Sequence, residues 1–180
     1  MRFYDILPGI ALLSVPVLLC MPLSVIRAFL LHCYREQGKE NMYYIKTEAS
    51  FDSAHFLKGY EGKCSNLHGH RWRVVVCLKA ESLKDDDQTR GMVEDFGEIK
   101  TELKSLCDHL DHCFIYEEGS LKAGTLEALK DEGFRMVEMA FRPTAENLAR
   151  YIFDVLSEKG FDMHRVEVYE TPANCAVYEM

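Results

Sequence analysis

Four histidines have the spacing that metal or proton-transfer chemistry requires: His55, His68, His70 and His112. His68 and His70 stand two residues apart, and on extended chain residues i and i+2 point to the same side, so both imidazoles can reach one ion. A catalytic zinc site takes three protein ligands and leaves a fourth position to water or substrate. His55, in the segment SAH, comes beside the other two if the strands that carry them pair, which makes His55, His68 and His70 a candidate Zn2+ set. An HxH pair alone is common and has no such meaning; the third histidine gives it one.

Cys64 lies four residues before His68 in a glycine-containing loop. A thiol close to a metal and imidazoles is pushed towards thiolate. Three roles are open to it: a fourth ligand that would close the site and make it structural, a general base, or an inert loop cysteine. The run DHLDH ends in Asp111 and His112, the composition of a relay in which a carboxylate orients an imidazole. The plainer alternative, which those five residues alone favour, is a solvated helix C-terminus, where histidine suits the dipole. Glu170 shares strand parity with Val166 and Val168, so a carboxylate ends an apolar face and needs a partner. A ligand with two adjacent N–H donors would serve, as would an arginine.

Several elements must position these groups. Tyr43 to Phe51 alternates as a half-buried strand, followed by a loop from Asp52 to Leu67. A second strand runs from about His70 to Ala80, with Trp72, Val74, Val76 and Leu78 on one face. The run KDDDQTRG turns into a short strand near Met92 to Glu94. Asp95 is a plausible N-cap for a helix carrying Ile99, Leu103, Leu106 and Leu110. After the apolar piece CFIY comes a small helical insertion, Leu121 to Lys130, then a strand from Arg135 to Phe141. Thr144 caps a long amphipathic helix with Leu148, Tyr151, Ile152, Val155 and Leu156 on one side, and Gly160 stops it. Met163 to Glu170 and Cys175 to Glu179 close the chain as strands. Strands and helices do not alternate regularly, which disfavours a doubly wound sheet and indicates an α+β domain, an antiparallel sheet backed by helices.

Composition excludes other classes. The formal charge is −8 and the pI near 5.4, without the basic stripe of a nucleic-acid binder. Seven cysteines, an odd number with no CxxC pair, argue against both a disulfide framework and a zinc ribbon and suit a reducing compartment.

In order, the segments FDSAH, CSNLHGH, VEDFGEIK, LDH, RPTAEN and VYETP, from Tyr43 to the C-terminus, resemble the 6-pyruvoyl- and 6-carboxytetrahydropterin synthases. The resemblance implies the tunnelling fold: a four-stranded antiparallel sheet backed by two helices, assembled into rings that stack into hexamer-like homo-oligomers. It also implies that His55, His68 and His70 hold zinc, that Cys64 is the proton-transferring thiolate, and that Asp111 and His112 form the relay. Glu170 would grip the pterin through its 2-amino group and neighbouring ring N–H, with Thr144 close to that ring. The implied reaction is a lyase one. In the carboxy branch, 7,8-dihydroneopterin triphosphate gives 6-carboxytetrahydropterin, acetaldehyde and triphosphate on the route to queuosine; in the pyruvoyl branch only triphosphate is eliminated. A non-catalytic zinc-binding module, tethered to a membrane by its N-terminus, is the rival from another class. Two features depart from the family: a longer stretch from Cys113 to Arg142, and residues 1–41, which have no family counterpart.

Within that extension, Ile6 to Ile26 carries no charge and is long enough to span a bilayer, but Pro8, Gly9, Pro16 and Pro22 make a poor helix. Translation starting at Met42 is the first expectation, a membrane anchor the second and a cleaved signal the third. The first puts residues 42–180 in the cytoplasm as the catalytic domain; the second tethers them to a membrane.

Overall fold

The structure, a computed structural model, describes residues 41–180. The apolar stretch from Ile6 to Ile26 lies outside the described residues, and among those described no helix is long and apolar enough to cross a membrane. Residues 42–180 form one compact unit.

Two long strands, β1 (Tyr43–His55) and β2 (His68–Ala80), pair antiparallel along their whole length. β3 (Cys113–Glu117), β4 (Met136–Met139), β5 (Met163–Thr171) and β6 (Asn174–Glu179) complete a six-stranded sheet in the order β4-β3-β1-β2-β5-β6. The expected four-stranded antiparallel sheet is therefore corrected in number and in direction. CFIY is not a connecting piece but strand β3, which runs parallel to β1 after a helical crossover, and β4 adds parallel to β3. β4 lies at the edge of the sheet and falls within the strand expected from Arg135 to Phe141, whereas β3, five residues long, is too brief for alternation to declare itself. No strand forms at Met92–Glu94. That segment folds back on its own loop, with Lys84 N–H donating to Met92 O and Gly91 N–H to Lys84 O, and so is not free to pair with the sheet.

Helices α1 (Phe96–Leu110) and α3 (Ala145–Glu158) cover one face of the sheet. α1 buries Ile99, Leu103, Leu106, Cys107 and Leu110; α3 buries Leu148, Ala149, Ile152, Phe153 and Leu156. Each stripe follows the helical period and meets Phe51, Trp72, Val74, Val76, Val166 and Val168 from the inner faces of β1, β2 and β5. The two backing helices were thus readable in the sequence. Asp95 and Thr144 cap them as expected, accepting from Gly97 N–H at 2.7 Å and Asn147 N–H at 3.3 Å. The insertion forms α2 (Ala123–Asp131), which buries none of its residues and adds nothing to the core.

Candidate metal centre

β1 runs four residues further than its alternation suggested, so His55 is its last residue rather than part of a loop. The antiparallel register then sets His55 opposite His68, Ser53 opposite His70 and Phe51 opposite Trp72. His55, His68 and His70 share the inner parity of the sheet with Phe51, Trp72 and Val74, so three imidazoles meet at one end of the core. Ring centroids lie 4.4 Å apart for His55 and His68, 5.2 Å for His55 and His70, and 4.9 Å for His68 and His70. Gly69, between the two histidines on β2, permits this approach: a Cβ there would stand 3.2 Å from Ser53 O on β1.

Backbone acceptors set the tautomers. His55 Nδ1–H donates to Pro143 O at 2.8 Å, and His68 Nδ1–H to Asn66 O at 2.7 Å. A carbonyl can only accept, so each Nδ1 carries the proton and each Nε2 keeps its lone pair. The Nε2 atoms of all three histidines are buried without a hydrogen-bond partner. A buried, unpaired acceptor is costly, and three of them converging is the pattern that a bound cation satisfies. Burial, reinforced by the neighbouring His68 and His70, lowers the pKa of His55 to about 4 despite the opposing bond to Pro143 O. Burial likewise lowers that of His70, against the opposing pull of Glu170. At neutral pH both rings are ready to act as ligands.

Glu170, at the end of β5, puts Oε1 3.6 Å from His55 Nε2 and 3.5 Å from His70 Nε2. Its carboxylate oxygen and the Nε2 lone pairs are all acceptors, so they do not satisfy one another; a shared cation would satisfy them together. The four ligand atoms lie within 4.8 Å of one another, a donor set that could hold a metal ion. Trp72 walls the cluster on the core side, edge-on to His55 and His70 at 5.0 and 5.4 Å.

The other expected residues are not in this cluster. Cys64 sits half-buried in a 3-10 turn, Lys63–Ser65, and is tied back by its own carbonyl, which accepts from Leu57 N–H at 2.8 Å. Among the described residues it does not join the three histidines in the group that could hold a metal ion, whereas Glu170 does. Asp111 and His112 form the expected pair beyond the end of α1, with His112 Nδ1 2.6 Å from Asp111 Oδ2. The turn is locked on β1: Asp52 N–H donates to Asp111 Oδ1 at 2.7 Å, and His112 N–H to Asp52 O at 2.6 Å. These contacts hold His112 at a φ of +50°, a conformation non-glycine residues seldom adopt. The bond from Asp52 N–H, then that to His112, holds the Asp111 carboxyl below the usual carboxylate range. The His112 ring is exposed, in a groove of about 670 Å³ that also reaches His70 and Arg71. A second groove, about 680 Å³, contains Glu170, Arg71, Arg73 and Tyr169 and meets the first at Gly69 and His70.

Thr144 spends its hydroxyl on the helix cap. The residues that sequence reasoning missed are the acceptors Pro143 and Asn66, which act through backbone oxygens and so leave no side-chain signature, and Trp72, which read as core. Burial raises the thiols of Cys107 and Cys113 to about 12 and about 11, which makes them core residues rather than nucleophiles.

The family model for 6-pyruvoyl tetrahydropterin synthase matches residues 44–180. The 6-carboxy-5,6,7,8-tetrahydropterin synthase of Haemophilus influenzae is 33% identical over 141 residues, covering 77% of this chain and 99% of that one. The enzyme of the same name from Synechocystis is 36% identical over 139 residues, 76% of this chain and 93% of its own. Among solved structures, an uncharacterized protein of Wolinella succinogenes superposes with a TM-score of 0.62 at 22% identity, over 77% of this chain and 98% of its own. At that identity the likeness is one of fold alone.

Proposed function

This chain belongs to the 6-pyruvoyl tetrahydropterin synthase family, and on that premise we propose that it is a zinc-dependent lyase. Its substrate would be 7,8-dihydroneopterin triphosphate, and its products 6-carboxy-5,6,7,8-tetrahydropterin, acetaldehyde and triphosphate, on the route to queuosine and other deazapurines. The observation that carries this is the convergence of three buried Nε2 atoms, each without a partner, at one end of a sheet in a chain whose relatives bear that enzyme's name.

His55, His68 and His70 would hold the zinc, leaving one side open to the substrate. When bound, the ion would supply Lewis acidity to the side-chain oxygens of the pterin substrate and so acidify the neighbouring C–H. Glu170 lines the second groove and would grip the pterin edge, one carboxylate accepting from the 2-amino group and the ring N–H. Thr144 would lie near that ring. Cys64, as thiolate, would take a proton from the side-chain carbon. His112, oriented by Asp111, would pass a proton to or from the substrate oxygen. Residues 42–180 would form the whole catalytic domain, and copies of it would associate into a stacked-ring homo-oligomer.

The test is incubation of the full-length, zinc-loaded protein with 7,8-dihydroneopterin triphosphate. Acetaldehyde together with 6-carboxytetrahydropterin is the expected outcome. 6-Pyruvoyltetrahydropterin without acetaldehyde would move the chain to the other branch of the family, and an unchanged substrate would end the lyase assignment. A non-catalytic module closed by a fourth Cys64 ligand is disfavoured, because the fourth group at the cluster is Glu170.

A further inference from the structure

The segment RPTAEN contributes only Thr144 to the chemistry above, yet it also supplies the hydrogen-bond acceptor for His55. Pro143 O takes the Nδ1–H of His55, the most buried of the three imidazoles, from 88 residues away in sequence. A carbonyl that orients a ligand must itself be held. The preceding carbonyl, Arg142 O, accepts twice: from Thr144 N–H at 2.8 Å and from the Asn147 side-chain amide at 3.0 Å. Between these anchors the proline ring fixes φ, so little freedom remains in the direction of Pro143 O.

Asn147 is unusual for its place. It is the third residue of α3, where a capping box would send a glutamate or glutamine side chain back to the N-cap N–H. Here the backbone half of that box is present, since Thr144 Oγ1 accepts from Asn147 N–H. The side-chain amide instead reaches past the helix to Arg142 O, two residues before the cap. That bond satisfies none of the helix's backbone N–H groups; what it ties down is the peptide next to the carbonyl of Pro143.

We propose that Asn147 is a positioning residue for the metal centre: its side-chain amide clamps Arg142 O so that Pro143 O holds His55 in its ligating tautomer and orientation. The inference rests on the three-histidine centre proposed above but not on any reaction. Groups that orient a metal-bound histidine typically cost about 10–100-fold in metal affinity when lost.

The experiment measures zinc affinity by competition with a chromophoric chelator, on full-length protein, for wild type, N147D, N147A and T144A. N147D keeps the size of the side chain but cannot donate to a carbonyl. N147D and N147A should each bind zinc about tenfold or more weakly, and the visible spectrum of the cobalt-substituted protein should change. T144A removes the helix cap but leaves the amide bond to Arg142 O, so it should lower thermal stability while zinc affinity stays near wild type. Wild-type zinc affinity in N147D overturns the clamp, as does a loss of affinity in T144A matching that in N147A. A wild-type chain that binds no zinc removes the metal centre itself and this inference with it.

Discussion

Cys64 and His70 make opposite claims that single substitutions separate. His70 Nε2 is one of three buried lone pairs with no partner, whereas Cys64 stands outside the ligand cluster. H70A should therefore reduce bound zinc from one ion per chain to a small fraction, as read by metal analysis after gel filtration. C64A should keep the zinc and lose turnover by about 10²–10⁴-fold, the usual contribution of a positioned acid or base. If C64A loses its metal, the thiol is a ligand and the site is closed. His55 adds a pH dependence. Its pKa falls from the ordinary 6.5 to about 4 in the folded chain because of burial. Between those values the unfolded chain takes up a proton that the folded chain refuses, so acid favours unfolding. Metal-stripped protein should then show no contribution from this ring above about pH 6.5, and lose on the order of 3 kcal/mol as pH falls towards 4. The depressed His70 acts in the same direction. Urea midpoints at pH 7 and pH 5 measure the loss, and H55Q should flatten the slope. A midpoint that rises on acidification would contradict the buried, neutral imidazole.

At the scale of elements, the parity of the sequence carried a great deal. HxH on a strand put two rings on one side, and Val166, Val168 and Glu170 put a carboxylate on the same side. The register of β1 on β2 then made His55 and His68 direct neighbours. What parity could not deliver was contact made through the backbone or across the edge of the sheet. β3 is too short to alternate visibly, and the acceptors for His55 and His68 are carbonyls, which any residue has. Arg135 belongs with these: it reads as the start of a strand, but its guanidinium donates to Asp108 O, His109 O and Asp111 O, each at 3.0 Å. It thus closes the C-terminus of α1, where orphan carbonyls and the helix dipole both favour a cation, and braces the turn that holds His112 at positive φ. R135A should cost about 1 kcal/mol in thermal or urea unfolding. It should also lower turnover while leaving zinc content unchanged, because neither Arg135 nor the turn contributes an atom to the histidine–glutamate cluster. Equal loss of zinc and turnover would mean that Arg135 supports the fold generally rather than the Asp111–His112 turn.

For the whole molecule, the candidate metal cluster, the thiol and the Asp111–His112 pair occupy separate places in one chain. His55, His68, His70 and Glu170 converge in a set that could hold a metal ion, but among the described residues neither Cys64 nor His112 joins that set. His112 presents an exposed ring to a groove that is open on the sheet surface. An enzyme that needs the thiol and the imidazole at one substrate can complete its pocket from a neighbouring copy, and a symmetric ring repeats that contact at every interface. Complementation tests this without a structure of the assembly. C64A and H112A chains should each be inactive alone. Co-expressed at equal levels and mixed at random, they should regain about a quarter of wild-type turnover, since an interface that takes its thiol from an H112A chain and its imidazole from a C64A chain is intact. If each pocket draws both groups from one chain, every pocket in the mixture carries a defect and no activity returns. Recovery that disappears when the two proteins are held apart as dilute, separately purified oligomers would tie the effect to shared pockets rather than to residual activity of either variant.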